Sequence, residues 1–219
     1  FIKKGIKIFF KEDVSLVSEG SINFEGTKEK PILIYSEKKQ GSIILLNNKY
    51  YINNVVFNNL SFPKNKNQIL YGGVNIVNSD VELTNIEIVN SNSEDAINII
   101  SSTSKIKNIK LKNINSDAID IDFGDLDFQN ISCKNIKNDC LDVSGAIVKG
   151  ENLLAADVKD KGLSFGENSK GLIINSNFSN NKVGVAVKDG SDLTLINSTL
   201  RNNEYDLAVF NKKKEYGNS

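Results

Sequence analysis

Ser116-Asp117-Ala118-Ile119-Asp120-Ile121 is followed 22 residues later by Asn138-Asp139-Cys140-Leu141-Asp142-Val143, and that by Asp160-Lys161-Gly162-Leu163-Ser164-Phe165. The block stands upstream as Glu94-Asp95-Ala96-Ile97-Asn98-Ile99. It stands downstream as Val183-Gly184-Val185-Ala186-Val187 and Tyr205-Asp206-Leu207-Ala208-Val209. Its leading positions 95, 117, 139, 161, 183 and 205 are each 22 apart. A second set repeats in step: Ile109, Ile131 and Leu153; Leu111, Cys133 and Ala155; Ile114, Ile136 and Val158. Within each block apolar residues alternate with polar ones, the two-residue period of a strand. A fixed period with short strands and Asn, Gly and Ser corners marks a solenoid, in which one coil cannot bury its inner face alone and stacked coils can. A leucine-rich repeat would need its own consensus and convex helices, and a β-sandwich would not keep an unbroken step over six blocks. The expected fold is all-β: a single-stranded right-handed parallel β-helix of about 22-residue coils.

The whole chain, 1–219, reads as one such domain, with irregular N-terminal coils over 1–49, regular coils over 50–211 and a tail or cap over 212–219. Gly5–Phe10, Val14–Val17, Ser21–Phe24 and Pro31–Tyr35 are short strand runs. Val55-Val56-Phe57 is matched to Val81-Glu82-Leu83, a longer step whose extra residues are expected to protrude as a loop at Pro63-Lys64-Asn65-Lys66-Asn67. The Lys212-Lys213-Lys214-Glu215 run is expected to cover or to leave the last coil, protecting its open edge. The chain lacks Met and is expected to belong to a longer protein.

Composition excludes several classes. The 27 basic and 27 acidic residues cancel, which leaves no field to attract nucleic acid. No apolar run approaches the roughly 18 residues of a transmembrane helix. There is no His, so imidazole is absent as general base and as metal ligand. There is no Trp, and Arg201 is the one Arg, which removes clustered bidentate anion recognition. Cys133 and Cys140 cannot alone build a disulfide framework or a metal site. Two core thiols are the simpler expectation, with a single bridge as the alternative in an oxidising compartment.

Coils stack about 4.8 Å apart, so residues 22 apart form ladders. Ile97, Ile119, Leu141, Leu163, Val185 and Leu207 are expected to point inward. Ala96, Ala118, Cys140, Gly162 and Gly184 form a ladder of small residues at a corner, which gives Cys140 a steric reason. Asn98, Asp120, Asp142 and Ser164 stack outward, with Asp122 on the same face. Asp95, Asp117 and Asp139 stack at the preceding corner, where Lys161 ends the column. Like charges one rung apart repel, and corner N–H groups, Lys161, solvent or a cation must offset them. Corner aspartates commonly cap backbone groups, and the outer face can be merely solvated. The chemical alternative is a Ca²⁺ site at Asp120, Asp122 and Asp142, since Ca²⁺ takes carboxylate and water oxygens. Lys159, Lys161, Lys188 and Asp189 read most simply as surface charges.

The coil pattern resembles the pectin-lyase-like superfamily. One stretch is similar to polygalacturonase-type glycoside hydrolases, whose three signature coils match Ser116–Ile121, Asn138–Val143 and Asp160–Gly166. The sequence departs from that pattern at Asn138, Lys161 and Ala186, where those enzymes carry Asp, His and Arg. A broader resemblance, over residues 50 to 216, is to exported β-helix repeat proteins. It implies an extracytoplasmic location: periplasmic, secreted or cell-surface. The leading expectation is a non-catalytic module of an exported or surface protein, a monomer or part of a larger chain. Such a module binds carbohydrate or a protein partner, or serves as a rigid spacer. The alternative is a polysaccharide lyase or glycoside hydrolase that uses Asp117, Asp139, Asp142 and Lys161, with Ca²⁺ as the one cofactor.

Overall fold

The computed structural model describes residues 1–64 and 70–217. All paired strands are parallel, and they form two sheets. One sheet stacks nine short strands, from Ser15–Ser18 to Tyr205–Phe210, one from each turn of the solenoid. The other has thirteen strands, including the long Lys49–Asn58, Asp80–Val89, Thr103–Ile114, Asp125–Ile136 and Ile147–Val158. No α-helix occurs among the described residues, and the one helical element is a single 3₁₀ turn at Lys214–Tyr216. The chain is a right-handed parallel β-helix, the hand that parallel crossovers take.

Registers follow the repeat. Asp95 pairs with Asp117, Ile97 with Ile119, Ile119 with Leu141, and Val185 with Leu207. Ile97, Ile119, Leu141, Leu163 and Val185 are fully buried and continue one column of the core. Truncating any one of them to Ala removes core volume that its fixed neighbours cannot refill, a cost of about 2–5 kcal/mol. At the small ladder a Cβ on Gly162 would lie 2.7 Å from the Gly184 carbonyl oxygen, so this corner admits only small residues.

The long strands bend at asparagines in the left-handed region: Asn108 at φ 57°, Asn130 at 63° and Asn152 at 60°. Asn tolerates this conformation better than most residues. The bends align, so each amide donates to the amide below: Asn108 to Asn85 at 2.9 Å, Asn130 to Asn108 at 2.8 Å and Asn152 to Asn130 at 3.0 Å.

Three expectations need correction. Val55 pairs with Ile86, not Val81; the step at this coil is the 31 residues that separate Lys49 from Asp80. The inserted stretch is longer than supposed, and Asn65-Lys66-Asn67 of the expected loop lies outside the described residues. The described residues of the tail do not cover the last coil. Lys212 and Lys213 donate backbone N–H groups to Asp189 Oδ1, one coil back, while Leu207 and Val209 stay 58% and 57% exposed. The cysteines are not core thiols: Cys133 and Cys140 form a disulfide with Cα atoms 5.9 Å apart.

Candidate functional site

The short-strand sheet turns one line of polar side chains outward. Asn75 pairs with Asn98, Asn98 with Asp120, Asp120 with Asp142, and Asp142 with Ser164. This is the outward ladder expected from the repeat, with Asn75 added. It is not an open polar surface: Asn75, Asn98 and Ser164 are buried, and Asp120 and Asp142 are half-buried. The Asn98 amide donates to Asp120 Oδ2 at 3.2 Å. Asn98 Oδ1 and Ser164 Oγ, on either side of the acidic pair, are buried without a hydrogen-bond partner among the described residues. Asp122 lies two register positions beyond Asp120, beside Ser144.

Burial and the charges of neighbouring carboxylates push the Asp120, Asp95 and Asp122 carboxyls up. Asp120 rises to about 9, chiefly by desolvation and then by the charges of Asp95, Asp122 and Asp142. Asp95 rises to about 8 through burial and Asp117. Burial and Glu167 raise Asp122. Lys188 is a neighbour that the sequence did not reveal. It is buried rather than a surface charge, with Nζ 3.8 Å from Asp142 Oδ1. Its stem crosses Gly166, where a Cβ would come within 2.7 Å of it. Asp189, also expected at the surface, is fully buried.

The corner column is architectural. Asp117 Oδ1 accepts the Asp139 N–H at 2.6 Å, and Asp139 Oδ1 accepts the Lys161 N–H at 2.9 Å. Each carboxylate thus ties its coil to the next. Lys161 Nζ lies 3.2 Å from both Asp139 oxygens and also pairs with Asp160, which is bound in turn by Lys182 at 3.4 Å. Burial works against the Lys161 charge, but Asp139 and Asp160 outweigh it and hold its pKa above the ordinary value. Burial lifts Asp117 to about 7 and Asp139 to about 6; Asp139 adds to the first shift and Asp142 to the second.

The structure therefore stacks Asp120 on Asp142, and Asp117, Asp139 and Lys161 at the adjacent corner, close enough that the Asp142 charge acts on both Asp117 and Asp139. Among the described residues, no three His, Cys, Asp or Glu side chains are grouped closely enough to hold a metal ion.

No protein-family model matches the chain, and no curated protein matches its sequence. Solved structures that resemble it include pectate lyase Pel9A, 14% identical over 95% of this chain and 66% of that one, with a TM-score of 0.46. Others are an alginate lyase from Paenibacillus sp. str. FPU-7 (13% identity, 96% and 92% coverage, TM-score 0.27) and bacteriophage CBA120 tailspike protein 3 (13%, 94% and 44%, 0.34). The chain thus spans 66% of the pectate lyase and less than half of the tailspike. The architecture is that of a parallel β-helix. This rests on the parallel pairing and the coil registers described above. No helix of the described residues is long and apolar enough to cross a membrane.

Proposed function

We propose that the chain is a non-catalytic β-helix module of an exported or cell-surface protein, a rigid scaffold that binds carbohydrate or a protein partner. One observation carries this reading: three of the four groups an enzyme would use, Asp117, Asp139 and Lys161, are committed to the corner column. A β-elimination base must be able to lose its proton, and Lys161 is held charged between Asp139 and Asp160. Asp117 and Asp139, the carboxylates left from the hydrolase pattern, accept backbone N–H groups of the next coil. The Cys133–Cys140 bridge supports export, since disulfides persist in oxidising compartments. The test is an NMR titration of the Lys161 side chain. Its ammonium is expected to persist past the ordinary lysine value of about 10.4. Deprotonation between pH 6 and 8 would make Lys161 a competent base and overturn the module reading.

A second reading is favoured by the unpartnered Asn98 Oδ1 and Ser164 Oγ that bracket Asp120 and Asp142. Oxygen donors beside two stacked carboxylates suit a hard cation such as Ca²⁺, with water completing its shell. On this reading the face is the uronate-binding site of a polysaccharide lyase or hydrolase. It predicts that millimolar Ca²⁺ raises the melting temperature above that in chelator, by mass action, and that Asp120→Asn with Asp142→Asn abolishes the difference. Equal melting temperatures in the two buffers would remove it.

A further inference from the structure

The bend of the thirteen-stranded sheet carries a trough that neither the acidic face nor the corner column uses. Its volume is about 590 Å³, within the range of small-ligand sites. The floor is the amide ladder Asn54, Asn85, Asn108, Asn130 and Asn152, one residue from each of five successive coils, so the trough runs along the solenoid axis. At about 4.8 Å per rung it extends for about 19 Å. The outward residues Val56, Glu87, Lys110, Ser132 and Leu154 follow the ladder in register and form one wall. Lys28 and Pro31 also line it.

The chemistry of this lining selects its ligand. Each central amide spends one N–H and one lone pair on its neighbours, and a side-chain amide has two of each. From Asn85 to Asn152 the floor therefore offers a donor and an acceptor at each rung, with no net charge, while the Asn54 amide donates instead to the Gly26 carbonyl and to Asn53. Along the wall, Glu87 stands beside Lys110, and Leu154 is 48% exposed at one end. An anionic polymer would need a run of cations, and Lys28 and Lys110 with Glu87 between them do not provide one. A peptide cannot add as a strand, because the strands that form the trough are paired on both sides. A polyproline segment would need aromatic walls, and no aromatic residue lines the trough. Hydroxyl groups at a regular spacing match the amides, and the C–H faces of sugar rings match Val56 and Leu154.

We propose that this trough binds an unbranched neutral polysaccharide laid along the solenoid axis. The inference deepens the carbohydrate-binding reading above and rests on it. The experiment is calorimetric titration of the protein with cellohexaose, xylohexaose and mannohexaose, with hexagalacturonate as the anionic comparison. Ser132→Arg fills the trough midway without touching the ladder. Leu154→Asp removes its apolar end and serves as an independent variant should the arginine fold away. At least one neutral hexasaccharide is expected to bind the wild type more tightly than hexagalacturonate. Both variants are expected to weaken that binding at least about tenfold, with unchanged circular dichroism and melting. The proposal is overturned if no neutral hexasaccharide binds, if hexagalacturonate binds more tightly, or if both variants bind as the wild type does. The length of the recovered saccharide is read in the same samples. Shortening by the wild type would count against the non-catalytic reading, whereas unchanged binding by the variants counts against the trough.

Discussion

Asp120 sits between Asn98 and Asp142 on a half-buried rung, and its proton is held to about pH 9. In the unfolded chain the same carboxyl ionises near 3.9. The folded state therefore binds more protons than the unfolded state between these values, and stability contributed by Asp120 is present below about pH 4 and lost as pH rises toward 9. Asp95, Asp117 and Asp139 act in the same direction, up to about 8, 7 and 6. The protein is thus expected to melt at a higher temperature at pH 5 than at pH 8.5. Asp120→Asn, which extends the Asn75–Asn98 ladder, is expected to match the wild type near pH 4 and to exceed it at pH 8.5 by about 1.4 kcal/mol or more. That corresponds to a few degrees, at about 2–4 °C per kcal/mol for a domain of this size. Thermal melts across this range decide the matter; a gap independent of pH would mean that Asp120 is ionised throughout. The stacking of these aspartates was legible because the 22-residue step alone fixes it. The burial of Lys188 was not, because it depends on Gly166 leaving room for a side chain that crosses between coils.

At the scale of the element, the coil corners carry most of what the sequence left open. Cys133 lies in the long strand Asp125–Ile136 and Cys140 just before Leu141–Ser144, so their bridge clamps one corner of one coil. A separation of seven residues does not say whether the two Cα atoms come within bonding reach; the corner between the two strands brings them to 5.9 Å. Closing so short a loop in the unfolded chain is worth about 2–3 kcal/mol in the chain-entropy model. The native protein is expected to show no free thiol, and reduction or Cys133→Ser with Cys140→Ser is expected to lower its melting temperature. Two titratable thiols in the folded oxidised protein would show that the bridge is absent. The Val55 pairing was misread for a related reason. An apolar run matches any strand of the right phase, and the register across the insertion is set by Lys49 opposite Asp80, which a two-residue period cannot distinguish from its neighbours.

For the molecule as a whole, repetition makes the fold easy to read and the function hard. Six blocks in step over-determine a solenoid, since each coil confirms the register of the one before. The same repetition gives the corner residues a structural use. Asp117, Asp139 and Lys161 have the spacing of a hydrolase pattern because they share a coil length, and in the structure they tie successive coils together. A fold built this way presents rigid, evenly spaced side chains, which suits binding of a repeating ligand without chemistry on it. The most direct measurement is prolonged incubation with polygalacturonate, alginate and neutral glucans, with and without Ca²⁺, scored for new reducing ends and unsaturated products. The account predicts unchanged chain length for all of them. Turnover that disappears in Asp139→Asn or Lys161→Met, with the fold intact, would contradict it.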